Sequence, residues 1–177
     1  MKNEIEKVLP ELRLIQDPEL REKTTTVWVE ALKRGGWTVE DLKDMPFTLL
    51  IPRTDVNLIE HTRAVTLTAL RIAEVLMEEY KERVHIHRDC LLSGSLLHDI
   101  GKLFEYKREG GKFLKSKEGE LLRHPISGAA FAFKHGLPPE VIHIIAAHSK
   151  EGDGSRRTIE AIIVNHADFV NFDVLKD

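Results

Sequence analysis

Apolar residues recur along most of this chain at steps of three and four, the spacing of helices that bury one face. Ile5, Val8, Leu9 and Leu12 form the first such stripe and predict a short helix. Asp17 followed by Pro18 supplies a cap and a first helical residue for a second helix, which ends where Gly35 and Gly36 follow Lys33 and Arg34. Thr38 with Asp41 predicts a short turn, and residues 46–56, which hold two prolines, read as an extended connector. From Asn57 to near Val84 the residues Leu58, His61, Val65, Ala69, Ile72 and Leu76 trace a long helix with a histidine inside its apolar stripe.

Residues 89–103 are apolar nearly all round, with Gly94 and Ser95 permitting close approach of a neighbour, and predict one buried central helix with His98 and Asp99 near its end. Residues 104–117 alternate polar and larger side chains around Gly110-Gly111, which fits a small β-hairpin or a loop. The segment 118–135 predicts a helix carrying Leu121, His124, Gly128 and Phe131 and stopping at Gly136. Pro138-Pro139-Glu140 opens another, with Val141, Ile144, Ile145 and His148 on one face and an end at 151–155. A last helix from about Arg157 carries Ile159, Ile162, Ile163, Ala167 and Val170, with Asp168 beside that stripe. The fold class is all-α: a helical extension with its connector at 1–56, a main helical domain at 57–177, and room for one small hairpin. No internal repeat or low-complexity tract interrupts this pattern.

Composition narrows the functional classes. A hydrophobic fraction of 42% over 177 residues suffices for a sizeable core. With 26 Lys and Arg against 29 Asp and Glu the net charge is -3, so no basic field holds nucleic acid non-specifically. The single cysteine, Cys90, excludes an intrachain disulfide and any thiolate cluster, which leaves His and carboxylate as metal ligands. The opening residues lack the basic start and apolar stretch of a signal peptide, and no apolar run reaches membrane-spanning length. A soluble cytoplasmic protein without a membrane partner is expected.

The most informative feature is polar. Five predicted helices each bring a His or Asp onto or next to a buried face: His61, the pair His98 and Asp99, His124, His148, and Asp168. Burying a polar group without a partner costs roughly 2–7 kcal/mol, and more for a charge. Any one of these residues taken alone has an ordinary explanation, a core imidazole on a carbonyl or an aspartate cap; His124 has the readiest, since it stands at a helix start that solvent can reach. Together they are satisfied most economically by shared divalent cations, and a donor set of His and Asp without thiolate suits iron, manganese, zinc or nickel rather than calcium. The other histidines serve as controls. His135 precedes Gly136 at a helix end, His143 and His166 lie off the faces of His148 and Asp168, and His85 and His87 stand in a charged stretch. None of them is assigned to a metal.

With HDIGK at 98–102 and the order His61, His98-Asp99, His124, His148, Asp168, residues 57–172 resemble the HD-domain superfamily of metal-dependent phosphohydrolases. The resemblance implies that one ion is held by His61, His98, Asp99 and Asp168, and a second by Asp99, His124 and His148, with Asp99 bridging. It implies two divalent transition-metal ions, iron first and manganese as the alternative, with zinc or nickel also compatible. Two such ions bring about four positive charges and the two aspartates return two, so a small anionic, phosphate-containing substrate is expected. A water acidified by both ions would attack phosphorus in line. Asp99 and Lys102 are the catalytic candidates, Lys102 standing where the family's substrate-contacting lysine does. Lys150, Arg156 and Arg157 offer a weaker second phosphate contact. Residues 146–155 (AAHSKEGDGS) lack the paired histidines and the GYP motif of the cyclic-di-nucleotide branch called HD-GYP.

The leading expectation is therefore a dinuclear phosphohydrolase of a small phosphomonoester or phosphodiester, with a nucleotide among the candidates. The same ligand order is similar to the mixed-valent di-iron oxygenases of the superfamily, which cleave C–C or C–P bonds, and ligands alone do not separate the two. A third class is a non-catalytic ligand sensor in which metals staple the helices. The helices at 1–45 offer either a lid or a homodimer surface, and in the hairpin region Tyr106, Lys107, Lys112 and Lys115 are candidates for touching substrate.

Overall fold

The computed structural model describes residues 1–52 and 54–176. Arg53, in the predicted connector, and Asp177, at the end of the predicted main domain, lie outside the described residues. The helices are α1 (Lys2–Val8), α2 (Pro18–Gly35), α3 (Leu58–Tyr80), α4 (Arg88–Leu97), α5 (Lys102–Glu105), α6 (Lys117–Leu121), α7 (His124–Lys134), α8 (Pro139–Ala147) and α9 (Ile159–Asp173). The strands are β1 (Tyr106–Glu109) and β2 (Lys112–Lys115), an antiparallel hairpin turning at Gly110 and Gly111, both with positive φ.

Local chemistry accounts for the helix ends. Asp17 accepts from Glu19 N and Leu20 N at the start of α2, and Gly36 (φ 73°) closes it in the left-handed region. Asn57 and Glu60 form a reciprocal capping box on α3. Thr38 and Asp41 make the expected turn, with Thr38 Oγ1 donating to Asp41 Oδ2 at 2.6 Å.

Two predicted helices are each broken in two. The span 89–103 stops at Leu97, turns through His98–Gly101 and resumes as α5. His98 is the C-cap, and its Nδ1 lies 2.6 Å from the Ser95 carbonyl, the acceptor that Asp99 N–H would need to continue the helix. The same device ends α8, where His148 is the C-cap with Nδ1 2.7 Å from the Ile145 carbonyl. The span 118–135 divides at Leu122 and Arg123, because Pro125 has no N–H to give and its ring excludes a helical turn before it.

Around α4 two apolar clusters meet. One joins Ile5, Leu12, Trp28 and Leu32 of the N-terminal segment to Leu92, Leu96, Ile100 and Leu103; the other joins Val65 and Ala69 of α3 to Leu91, Ile144 and Val164. Trp28 donates from Nε1 to the Leu96 carbonyl at 3.1 Å, so the N-terminal segment is fixed by a polar bond as well as by burial. At Gly94 a Cβ would stand 2.7 Å from Ile144, the close approach the sequence predicts. Among the described residues no helix is long and apolar enough to cross a membrane.

Candidate metal centre

The breaks described above place the polar residues. Because α4 and α8 end on His98 and His148, both imidazoles sit at helix ends with Nδ1 on a local carbonyl. A carbonyl only accepts, so Nδ1 carries the proton and Nε2 of each faces inward as a lone pair. Both Nε2 atoms are buried without a hydrogen-bond partner.

All six predicted residues converge. Asp99 is the centre: its Oδ2 lies 3.6 Å from His61 Nε2 and 3.3 Å from His98 Nε2, while its Oδ1 lies 3.2 Å from His124 Nε2 and 3.8 Å from His148 Nε2. Asp168 Oδ1 approaches His61 Nε2 at 3.0 Å and His98 Nε2 at 3.9 Å. Two groups therefore bring ligand atoms close enough to share an ion, His61-His98-Asp99 and Asp99-His124-His148. His124 is buried, contrary to the expectation of a solvent-reached helix start; Asp168 is the most open of the six, at 18% side-chain exposure.

Electrostatics mark the centre as short of positive charge. Burial works against a charged Asp99, yet Lys102, His98 and His124 outweigh it and hold its carboxyl well below the usual range. Burial likewise opposes ionisation of Asp168, but the hydrogen bond from His61 prevails and leaves it at about 2. Burial lowers His61 despite Asp168. At His148 burial, reinforced by His98, pushes the pKa down to about 3. At His98 burial is outweighed by Asp99 and the pKa rises. Two ionised carboxylates thus lie among four buried imidazoles in a dry site, the donor set a transition-metal dication fits.

Lys102 is buried and commits its ammonium inward, to Asp99 Oδ2 at 2.6 Å and to the Phe47 carbonyl. Asp99 holds its pKa up against burial. The centre opens into a cleft of about 510 Å³. Its lining is apolar at Phe47, Leu49, Leu50, Phe169 and Phe172 and cationic at Lys115, Arg123 and Lys150. Of the hairpin candidates, Tyr106 and Lys115 line the cleft, whereas Lys107 pairs with Glu109 at the surface and Lys112 is exposed. Lys150 lines it too; Arg156 and Arg157 border a separate shallow depression, with Arg157 on the carbonyls of Ala147 and Ser149. The control histidines stand elsewhere: His85, His87 and His166 are exposed, His135 packs on Phe131 at 4.4 Å, and His143 Nε2 accepts from Thr158 N.

Three features were not legible in advance. Glu105 is buried and touches His124; it stands in a run of charged residues that reads as solvated. Phe47 reaches the centre from the connector and packs on His61 at 4.5 Å. Phe169 directly follows Asp168 and Phe172 lies one turn beyond it, where periodicity gives no reason to single them out.

The family model described as HD domain matches residues 58–171, which is most of the chain. This chain belongs to the HD-domain family. The HD-domain chain is 34% identical to the dihydroneopterin 2',3'-cyclic phosphate phosphodiesterase of Methanocaldococcus jannaschii, over 93% of its own length and 67% of that protein's. It is 32% identical to ribonuclease Y of Desulforudis audaxviator over 65% of the chain, and 41% identical to ribonuclease Y of Desulforamulus reducens over 43%. The chain spans less than a fifth of either ribonuclease. No solved structure matches. The HD-domain protein is a hydrolytic enzyme of the metal-dependent phosphohydrolase superfamily.

Proposed function

We infer that this HD-domain enzyme is a dinuclear phosphodiesterase acting on a small phosphodiester, with a five-membered cyclic phosphate as the first candidate. The observation that carries this reading is the division of Asp99: each carboxylate oxygen faces its own pair of imidazoles, so one residue can bridge two ions. His61, His98, Asp99 and Asp168 would hold the first ion and Asp99, His124 and His148 the second. Iron is the first expectation from this donor set and manganese the alternative. Two bound dications supply Lewis acidity toward the phosphoryl oxygens and make water a nucleophile near neutral pH.

The protein's own part is positioning. His98 and His148 are aimed by Ser95 and Ile145, Asp99 is kept ionised by Lys102, and the cleft presents Lys115, Arg123 and Lys150 to an anionic ester. The apolar wall of Phe47, Phe169 and Phe172 suits a flat organic group attached to that ester. Residues 1–56 act in this reading as a fixed covering layer for the domain that follows, since their Phe47, Leu49 and Leu50 line the cleft.

The three named relatives are a phosphodiesterase and two ribonucleases, which favours hydrolysis over the oxygenase chemistry that shares this ligand order. The test is hydrolysis under nitrogen by iron- or manganese-loaded protein, using cyclic and linear phosphodiesters. Phosphomonoester product without oxygen is the expected result. No product from the panel, together with oxygen uptake on a polyol or aminophosphonate, would overturn it.

A further inference from the structure

The buried carboxylate of Glu105 has no place among the predicted ligands, and its contacts assign it one. Its Oε2 accepts two hydrogen bonds from a single residue, the His124 backbone N–H at 2.8 Å and the His124 ring Nδ1 at 2.9 Å. The first is the work of a helix cap: α7 has no side-chain cap of its own, and Glu105 meets one of its unpaired donors. The second is not needed by a cap. A carboxylate only accepts, so it fixes the proton of His124 on Nδ1 and turns the Nε2 lone pair toward Asp99 Oδ1, 3.2 Å away.

Glu105 is itself held in place. Its carbonyl accepts from Ser116 N at 2.8 Å, and α6 is pressed so close that a Cβ on Gly119 would stand 2.3 Å from that carbonyl oxygen and 2.8 Å from Glu105 Cγ. Its other oxygen, Oε1, faces Arg123 Nη1 at 3.5 Å and Lys115 Nζ at 3.8 Å. These cations also line the cleft. The other two inward-facing histidines with a fixed proton use a backbone carbonyl for this purpose. His124 begins its helix, so it has no carbonyl one turn behind it, and a carboxylate from α5 takes that role.

We propose that Glu105 is the positioning residue of the second cluster: it sets the tautomer and direction of His124 and thereby the occupancy of the Asp99-His124-His148 site. This rests on the two-ion reading above. An orienting carboxylate on a metal-bound imidazole is worth about 10–100-fold in metal affinity. The loss should fall on the second ion alone, because Glu105 touches none of the first cluster.

The test uses the full chain, stripped of metal, with Mn²⁺ as the only probe. Equilibrium dialysis reads ion affinities, and ¹⁵N chemical shifts of the histidine rings in the metal-free protein read the His124 tautomer. Wild type should bind two ions and show His124 protonated on Nδ1. Glu105→Ala should bind the first ion as wild type does, bind the second about 10–100-fold more weakly, and lose the Nδ1–H preference. Glu105→Gln keeps an acceptor oxygen, so it should retain that tautomer and lose less affinity. A Glu105→Ala protein with second-ion binding unchanged overturns the proposal, whatever its tautomer. Should Glu105→Ala not fold, unchanged second-ion binding in Glu105→Gln overturns it equally. Wild-type protein that binds one ion overturns the two-ion reading instead, and an unaltered His124 tautomer in Glu105→Ala would then remove the positioning role as well.

Discussion

Gly101→Ala tests the packing that builds the centre. Gly101 has φ -65° and ψ -17°, ordinary right-handed values, so alanine costs nothing in backbone conformation there. The penalty is steric. A Cβ at this position would stand 2.1 Å from the His124 carbonyl oxygen and 2.8 Å from its Cα, against 3.4 Å for ordinary contact. The shortfall of 1.3 Å (3.4 less 2.1) is met by backbone atoms, which have no rotamer to escape into. If His124 moves by that amount, its Nδ1 bond to Glu105, now 2.9 Å, passes beyond hydrogen-bond reach, and Nε2 leaves Asp99. Overpacking of this kind costs about 1–3 kcal/mol of stability. A displacement near 1 Å at a reacting centre costs about 100-fold in rate. The assay is turnover of bis(4-nitrophenyl) phosphate with metal content measured on the same samples. Gly128→Ala is the control, because its Cβ meets Gly101 N at 3.2 Å and needs only tenths of an ångström. Gly101→Ala protein with two ions and turnover within about threefold of wild type would refute the argument that close approach at Gly101 sets His124.

Other outcomes follow from single residues. His124→Ala and His148→Ala should each reduce the bound metal from two ions to one by elemental analysis, whereas one ion in every sample would remove the second site. Trp28→Ala deletes a fully buried ring and its bond to Leu96, and should lose about 3–5 kcal/mol in denaturant unfolding, with the loss seen as a lower midpoint. The Cys90 thiol is pushed up to about 11 by burial, aided by Glu140 and Glu160. A raised thiol pKa means less thiolate at a given pH, so iodoacetamide should react about 100-fold more slowly than with a free thiol at pH 8, rising about tenfold per pH unit toward pH 10. Alkylation at the free-thiol rate would contradict this.

The helices were legible wherever their signal is local. Asp17 acts through its capping carboxylate, and Gly36, Gly110, Gly111 and Gly136 act through the positive φ that glycine favours, so the structure uses each local signal as read. The polar constellation was legible for a different reason: six residues that cannot be buried singly at bearable cost lie on stripes that must be buried. What periodicity does not reveal is where a side chain replaces a backbone partner. His98 and His148 end their helices by taking carbonyls that the backbone would otherwise use, and at His98 the apolar spacing continues unchanged into Ile100, Leu103 and Phe104. Glu105 escaped for the converse reason, because three-dimensional packing buries a residue whose neighbours in sequence are charged and exposed. The oxygenase and hydrolase readings share their ligand order, so no amount of spacing divides them.

The N-terminal segment bears on substrate choice through a short chain of contacts. Lys102 donates both to Asp99 and to the carbonyl of Phe47, and the Phe47 ring lies between His61 at 4.5 Å and Phe172 at 6.0 Å. The segment is tied to α4 by the Asp89 carboxylate, which accepts from Gln16 N and Asp17 N, and by Arg88, which donates to the Leu14 carbonyl. A movement of the extension would therefore shift Phe47 in the cleft lining and Lys102, the counter-charge of Asp99, together. The HD-domain match, over residues 58–171, includes Phe169 but not Phe47, Leu49, Leu50 or Phe172. The likeness to the cyclic phosphate phosphodiesterase covers 93% of the chain, which leaves too few residues outside it for Phe47 to be missed wherever the match begins. The ribonuclease likenesses, at 65% and 43%, carry no such requirement. The likeness that reaches back over Phe47 is therefore the one that orders the hydrolysis panel, with small cyclic esters tried before polymers.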